Sequence, residues 1–139
     1  MHTPLAVTEH ELQQLLFDVA FTRNYGFRLS TIAEGACTLH VPFQGAFERP
    51  GGLISGQVFM AAADVAMWLA IMTKLGTTDQ SVTVELTTAF LYGSRHEDFH
   101  CTAKILKMGK RLIYGVAECV SSTGRLLTHH TITYVRPDQ

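Results

Sequence analysis

Residues 53–74 read LISGQVFMAAADVAMWLAIMTK, and this stretch decides the fold. Its alanine, methionine, leucine and tryptophan residues favour a helix, it contains no proline, and Gly76 follows as a stop signal. We therefore predict one helix over residues 54–74. Such a helix is apolar around most of its circumference, so it must be covered on several sides, and one sheet covers only one of them. The sequence thus predicts a homo-oligomer in which a second subunit covers another side.

The same stretch is also about as long and apolar as a membrane-spanning helix. Asp64 at its centre argues against a membrane, because an Asp in the middle of a bilayer costs roughly 2.5–3.5 kcal/mol on insertion scales. We expect the buried helix of a soluble protein, with no membrane partner. The first residues contain no basic segment followed by a long apolar one. No secretory signal is therefore predicted, and the cytoplasm is the expected location.

The segments on either side of this helix predict a hairpin and a sheet. Thr8 and Glu11 form a capping box before an amphipathic helix over residues 9–22, and the segment 26–42 predicts a β-hairpin. Beyond the central helix, glycine-containing turns separate four runs rich in Val, Thr, Ile and Leu, at residues 81–92, 98–108, 111–121 and 125–135. Four consecutive strands predict an antiparallel meander. The fold class is therefore α+β, with one sheet and one central helix in a single domain over residues 1–139.

Composition excludes several classes of function. Of the 139 residues 47% are hydrophobic and 17% charged, which suits a folded core, and a net charge of −1 predicts no nucleic-acid partner. Cys37, Cys101 and Cys119 lie far apart, so we expect reduced, structural thiols. His129 and His130 are adjacent and point to opposite faces of a strand. No metal site is therefore predicted.

Asp64 is the only ionisable residue between Val58 and Met72. An unpaired carboxylate in such surroundings either costs several kcal/mol or titrates at an unusual pH, and such groups occur preferentially at functional sites. Asp64 is therefore the first candidate for chemistry. The alternative is a carboxylate that forms a salt bridge across a subunit interface or reaches solvent at the edge of the helix.

The start of the helix offers a second candidate feature. Ser55, Gly56 and Gln57 present backbone N–H groups without intrahelical partners, and the positive end of the helix dipole favours a developing negative charge. These groups could form an oxyanion hole. Gln57 and Asp64 are seven residues apart, so they are expected to share a face and one cavity. The alternative is an ordinary N-cap at Ser55, with Gly56 permitting close packing.

Three segments of the chain together resemble the hotdog-fold thioesterase superfamily, specifically its phenylacetate-pathway type. They read GGLISGQVFMAAADVAMWLAI, SVTVELTTAFLYGSR and KILKMGKRLIYGVAECVSSTGRLLTHHTITYV. The similarity extends over roughly residues 25–135, which is most of the chain. It implies the hotdog fold, in which an antiparallel β-sheet wraps around a long central helix.

The resemblance also implies roles for individual residues. In that family the helix opens with a His-Gly-Gly motif and carries an acidic residue nine positions after the histidine, and Ser55, Gly56, Gln57 and Asp64 stand at these places. Asp64 is then the catalytic carboxylate, either a nucleophile or a general base toward water, and the Gly56 N–H polarises the thioester carbonyl. Thr83 matches a hydroxyl-bearing position that orients the attacking water. Gln57 completes the predicted catalytic set.

Three positions depart from the family's pattern. Ser55 replaces the motif histidine, Gln57 replaces its second glycine, and Arg49 falls near a position that is usually asparagine. Basic residues around a glycine turn resemble the family's segment that meets coenzyme A; the predicted coenzyme A contacts are Lys107, Gly109, Lys110, Arg111 and Arg95. The alternative is a solvated hairpin whose lysines deter sheet aggregation.

The function that the resemblance implies is hydrolysis of an aryl- or medium-chain acyl-CoA to the free acid and coenzyme A. The site is expected between two subunits of a dimer or tetramer. No cofactor is required, and coenzyme A enters as part of the substrate. A hotdog dehydratase is a weaker alternative, because Ser55 removes the histidine nearest Asp64. The alternative from another class is a protein that binds acyl-CoA without hydrolysing it.

Overall fold

The computed structural model describes residues 5–137, in which a six-stranded antiparallel sheet wraps around one long helix. In chain order the elements are α1 (Glu9–Asp18), α2 (Ala20–Tyr25), β1 (Arg28–Ala33), β2 (Ala36–Val41), a short 3-10 helix (Gly45–Phe47), α3 (Gly56–Leu75), β3 (Val82–Phe90), β4 (Phe99–Met108), β5 (Leu112–Ser121) and β6 (Leu126–Val135). The predicted α+β class and hotdog architecture are therefore confirmed.

Helix α3 is the core of the molecule. Ser55 caps its start by accepting the Gln57 N–H at 3.4 Å, and the chain leaves the helix at Gly76 with a φ of 89°. Twelve of its 20 residues are buried, because β2, β4 and β5 pack against it. By length and composition α3 could cross a membrane. Within the described residues, however, it is the mostly buried central helix around which the sheet wraps.

The prediction of one continuous helix over residues 9–22 is wrong, because the chain forms two helices there. Helix α1 ends at Asp18, and Val19 is extended, with a φ of −78° and a ψ of 122°. The buried Thr22 explains the break, because its hydroxyl donates to the Leu16 carbonyl at 2.7 Å and to the Val19 carbonyl at 3.0 Å. These bonds occupy carbonyls that a helix end leaves free, so α2 starts in a new direction.

The predicted meander of four strands is also wrong, since the sheet order is β1-β2-β4-β5-β6-β3. Strands β4, β5 and β6 do form a meander, but β3 lies at the far edge beside β6. The segment 91–98 crosses the end of the sheet instead of making a tight turn. It is held there because the Leu91 N–H donates to the Leu127 carbonyl at 2.9 Å and the Ile54 N–H to the Ser94 carbonyl at 2.9 Å.

One side of the molecule is left uncovered along β3. Val82, Val84 and Phe90 on this strand are 58%, 55% and 55% exposed. On the neighbouring stripe of α3, Gln57 and Met60 are exposed, and Asp64 is half-buried. The side of α3 that the sheet leaves open therefore lies beside the open edge strand.

Candidate functional site

The Asp64 carboxylate is held by two hydroxyl groups from different strands. Its Oδ1 accepts the Thr83 hydroxyl at 2.7 Å and the Tyr134 hydroxyl at 2.8 Å, and Tyr134 also reaches the Asp64 carbonyl at 3.0 Å. The premise of a buried, unpaired carboxylate is therefore wrong, since Asp64 is half-buried and hydrogen-bonded. The structure does bring Asp64 and Thr83 together, as the resemblance implies.

Both hydroxyls bind the same carboxylate oxygen. Among the described residues no hydrogen bond to Asp64 Oδ2 is found, so this oxygen is left for water or substrate. Burial, with the Asp64 carboxylate as a second cause, raises the pKa of Tyr134 well above its usual range. The tyrosine hydroxyl therefore keeps its proton and acts as a donor. The pair of donors therefore holds the carboxylate in place through one of its oxygens.

Tyr134 is the site residue that the sequence analysis misses. It lies on the same face of β6 as the buried residues Ile132 and His130, so it points inward toward α3. This period of two is visible in the sequence and predicts an inward side chain. It does not reveal which residue of α3 the tyrosine meets, because that depends on how β6 lies across the helix.

A cavity of about 190 Å³ opens beside the carboxylate. Its walls are largely apolar, and its lining residues are Phe21, Asp64, Val65, Trp68, Ser81 and Tyr134. An acyl group could therefore be sheltered next to a carboxylate that is positioned to activate water.

Gly56 begins α3 at a different place in the molecule. As the first helical residue it has a backbone N–H without an intrahelical acceptor. It opens onto a cavity of about 330 Å³ that is also lined by Arg49 and Phe90. A Cβ at Gly56 would lie 2.8 Å from Phe90 Cε1, so the glycine allows the end of β3 to approach the start of the helix.

The predicted catalytic residues do not meet within one chain. Asp64 follows Gly56 by eight residues, which is about 12 Å along a helix, whereas an oxyanion donor and a base must both lie about 3 Å from one reacting group. Gln57 lines a third cavity, of about 250 Å³, together with Tyr25 and Ser55. The prediction that Gln57 and Asp64 share a cavity is therefore wrong for the single chain.

The predicted coenzyme A contacts fall into two groups. Lys107 lies near the end of β4, and Gly109, Lys110 and Arg111 form the β4–β5 turn. The Gly109 N–H donates to the Leu112 carbonyl at 2.8 Å. Arg95 lies beyond the other end of β4, which is about 30 Å away along the strand, and its guanidinium donates to the Gly51 carbonyl. The single chain does not bring Arg95 to the basic turn.

A second cluster with nucleophilic potential lies inside the sheet. The Cys119 thiol is 3.9 Å from Nε2 of His130. Burial raises the pKa of Cys119, but hydrogen bonds with Cys101, His130 and Thr128 outweigh burial and lower the pKa to about 6. Cys119 and His130 are nevertheless both fully buried, so a substrate cannot reach the sulfur. All three cysteines are free and buried, and we assign them to the core.

Comparison with known families identifies the family of this chain. The model of the thioesterase superfamily matches residues 51–128, which include α3, β3, β4 and β5. The chain belongs to the thioesterase superfamily. The matched range contains Gly56, Asp64 and Thr83.

Individual relatives agree with this family. A "putative esterase" of Thermoplasma acidophilum is 27% identical over 124 residues, which cover 89% of this chain and 93% of the relative. The crystal structure of a "putative thioesterase" from Silicibacter sp. TM1040 is 26% identical with a TM-score of 0.86, covering 99% of this chain and 97% of that one. The Escherichia coli PaaI protein, at 16% identity and a TM-score of 0.83 over 95% of this chain and 97% of its own, shares the fold. Family and relatives together support a thioester hydrolase.

Proposed function

We propose that this protein is an acyl-CoA thioesterase, which hydrolyses an aryl- or medium-chain acyl-CoA to the free acid and coenzyme A. The observation that carries the proposal is the Asp64 carboxylate, which Thr83 and Tyr134 hold through one oxygen at the wall of an apolar cavity. The other oxygen takes a proton from water as the water attacks the thioester carbonyl. The thiolate of coenzyme A then leaves as the acid forms.

The oxyanion donor in this proposal comes from a second copy of the chain. Because Gly56 and Asp64 of one chain are about 12 Å apart along α3, they cannot act on the same carbonyl. Asp64 lies beside Thr83 near the start of β3, and Gly56 lies beside Phe90 at its end. Antiparallel pairing of two β3 edges therefore places the partner's Gly56 near Asp64, in each of two equivalent sites.

The same pairing gives a rationale for the separated basic residues. Leu112, which follows the basic turn, and Val82, which begins β3, both pair with Val135, so the turn lies at the start of β3. Arg95 follows the end of β3. In an antiparallel dimer the partner's Arg95 approaches the basic turn, and we propose that this combined surface receives the phosphates of coenzyme A. The tetramer, the cytoplasmic location and the absence of a required cofactor stay predictions.

The first experiment measures thiol release from aryl, short-chain and medium-chain acyl-CoAs by the wild type and by Asp64→Asn. A general base typically contributes about 10²-fold to 10⁴-fold, so we expect kcat to fall by that range in the variant. Asp18→Asn is the matched control, because Asp18 is an exposed carboxylate at the end of α1 and is not among the residues that line the Asp64 cavity. Its rate should equal that of the wild type.

Two outcomes would contradict the hydrolase. If Asp64→Asn retains full activity, Asp64 is not the base. If the wild type binds acyl-CoA esters but releases no thiol from any of them, the protein is the non-hydrolytic binder, and the departures at Ser55, Gln57 and Arg49 account for the lost turnover.

The site between subunits is tested with Gly56→Pro. Proline is favoured at the first helical position and lacks the N–H in question, and Ser55 before it already has the extended backbone that a proline requires. Loss of one oxyanion donor should lower kcat by about 10²-fold to 10³-fold. Gly56→Ala is the control, because it keeps the N–H but pushes on Phe90 in the same way.

Mixing the two inactive variants then shows whether the subunits share a site. A heterodimer of Asp64→Asn and Gly56→Pro has one site with both groups intact and one with neither. Equal mixing makes about half of the dimers mixed, so about a quarter of the wild-type activity should return. If none returns although mixed dimers form, each site is built within one chain and the proposed arrangement is wrong.

A further inference from the structure

A pair of histidines faces outward from the sheet, away from α3 and from the thioesterase site. His40 on β2 and His100 on β4 are direct partners across the two strands. Nδ1 of His40 lies 3.1 Å from Nε2 of His100. Both residues are half-buried, with 30% of the His40 side chain exposed, so the ring nitrogens are ordered by the sheet and still accessible from solvent.

We propose that His40 and His100 bind a divalent transition-metal ion that prefers nitrogen ligands. At about 2.0–2.1 Å per metal–nitrogen bond, two nitrogens on one ion are about 2.9 Å apart at a right angle and about 3.3 Å apart at the tetrahedral angle. The observed 3.1 Å lies between these values. A metal ion would replace the proton that the two nitrogens share.

Asp98 provides the outer support that such a site needs. Its Oδ2 lies 3.3 Å from Nε2 of His40, the ring nitrogen that faces away from His100. Its Oδ1 accepts the Phe43 N–H at 2.7 Å, so the carboxylate itself is anchored. A metal-binding histidine characteristically donates its second N–H to a carboxylate, which fixes the tautomer and raises the basicity of the metal-binding nitrogen. His40 has this arrangement.

The rest of the coordination is open to water. Within the described part of the chain no three His, Cys, Asp or Glu side chains converge on one point. The site therefore offers two protein ligands, which suits Cu²⁺ best in the order of affinities for imidazole, followed by Ni²⁺ and Zn²⁺. Because the ion would join β2 to β4, binding should also raise the melting temperature. Residues 40 and 100 are too far apart in sequence for a spacing motif to reveal them.

The test is a titration of the protein with Cu²⁺ alone, followed by electron paramagnetic resonance. We expect one site per chain with two imidazole nitrogens, and His40→Gln and His100→Gln should each remove it. Asp98→Asn should weaken binding by about tenfold to 100-fold. The matched control is His129→Gln, because His129 also lies 2.8 Å from a carboxylate oxygen, that of Glu118, but its strand partners include no second histidine.

The melting temperature without metal shows that each variant is folded. If His40→Gln and His100→Gln keep the two-nitrogen copper signal, the ion binds elsewhere and the proposal is wrong. If the wild type shows no two-nitrogen signal, the histidines share only a hydrogen bond and the proposal is equally wrong. Loss of the signal in both variants but not in His129→Gln supports it.

Discussion

The two edge strands of the sheet, β1 and β3, differ in how far the rest of the chain covers them. Edge strand β1 has six residues and a register shift between Leu29 and Thr31, and α1 packs against it. The Leu29 N–H is taken by Oε1 of Gln13 at 2.8 Å. Edge strand β3 has nine residues without lysine or proline, and Val82 and Val84 are more than half exposed.

Proteins usually protect a sheet edge with short strands, bulges, charges or a covering helix, because an open edge pairs with other chains. Edge β1 is short and has a bulge and a covering helix. Edge β3 has a register shift between Thr83 and Glu85 and one exposed charge, Glu85, but it is longer than β1 and no helix covers its outer edge. Asp64 and Gly56 lie beside the two ends of this open strand. The contrast supports the proposed pairing of two β3 edges, because α1 covers the other edge within the same chain.

The largest predicted effect is a loss of association when a charge is added to the open edge strand β3. Thr87→Glu adds a carboxylate on the outer face of β3, two residues from Glu85. If two β3 strands pair antiparallel about residue 86, each introduced carboxylate faces Glu85 of the other copy, which makes two pairs of like charges. If they pair about residue 87, the two introduced carboxylates face each other and make one pair. At up to about 1 kcal/mol for each pair, the dissociation constant should rise by about fivefold to 30-fold.

Thr31→Glu is the matched control for this change. Thr31 is also an exposed threonine on an edge strand, but it lies on the closed edge β1. Analytical ultracentrifugation should show unchanged association for Thr31→Glu, and dilution should reduce the specific activity of Thr87→Glu alone. Equal weakening by both variants would mean that β3 is not the interface.

The next effect concerns the start of β3, where Tyr134 positions Asp64. Tyr134→Phe removes one of the two donors to Oδ1 and leaves the Thr83 bond. A hydrogen bond to a charged group contributes about 1.5–3 kcal/mol. Because the Thr83 bond remains, we expect an effect at the lower end of this range, so kcat should fall by about tenfold while KM changes little. Tyr114→Phe is the control, because Tyr114 is 42% exposed on β5. A rise in KM with kcat unchanged would indicate a role in substrate binding instead.

Tyr134 also predicts a pH dependence of stability. Burial and the Asp64 carboxylate raise the pKa of Tyr134 in the folded protein, whereas in the unfolded chain a tyrosine loses its proton near pH 10. The folded state therefore binds more protons above that pH, and the free energy of unfolding should fall as the pH rises above about 10. The fall should be less steep in Tyr134→Phe, and equal slopes in both proteins would contradict the role of the raised pKa.

The sequence predicts the two halves of the site to different extents. A lone carboxylate in an apolar helix is a local signal, and the family motif adds Gly56 and Thr83. Tyr134 and the edge position of β3 are not local, because they depend on whether β4 pairs with β3 or with β2. Both pairings suit the alternating pattern of the strands. The separation of Gly56 from Asp64 is, in contrast, readable from the sequence, since eight helical residues span about 12 Å.

The smallest predicted effect tests the closed edge. Gln13→Ala leaves the half-buried Leu29 N–H without its side-chain acceptor, so the free energy of unfolding should fall by about 1 kcal/mol. Gln14→Ala is the control, since Gln14 donates to Asp18 at 2.9 Å in an exposed position and its loss should cost less. Urea denaturation measures both. Association should stay unchanged in both variants, because α1 still covers β1; a new, concentration-dependent oligomer of Gln13→Ala would show that this one side chain closes the edge.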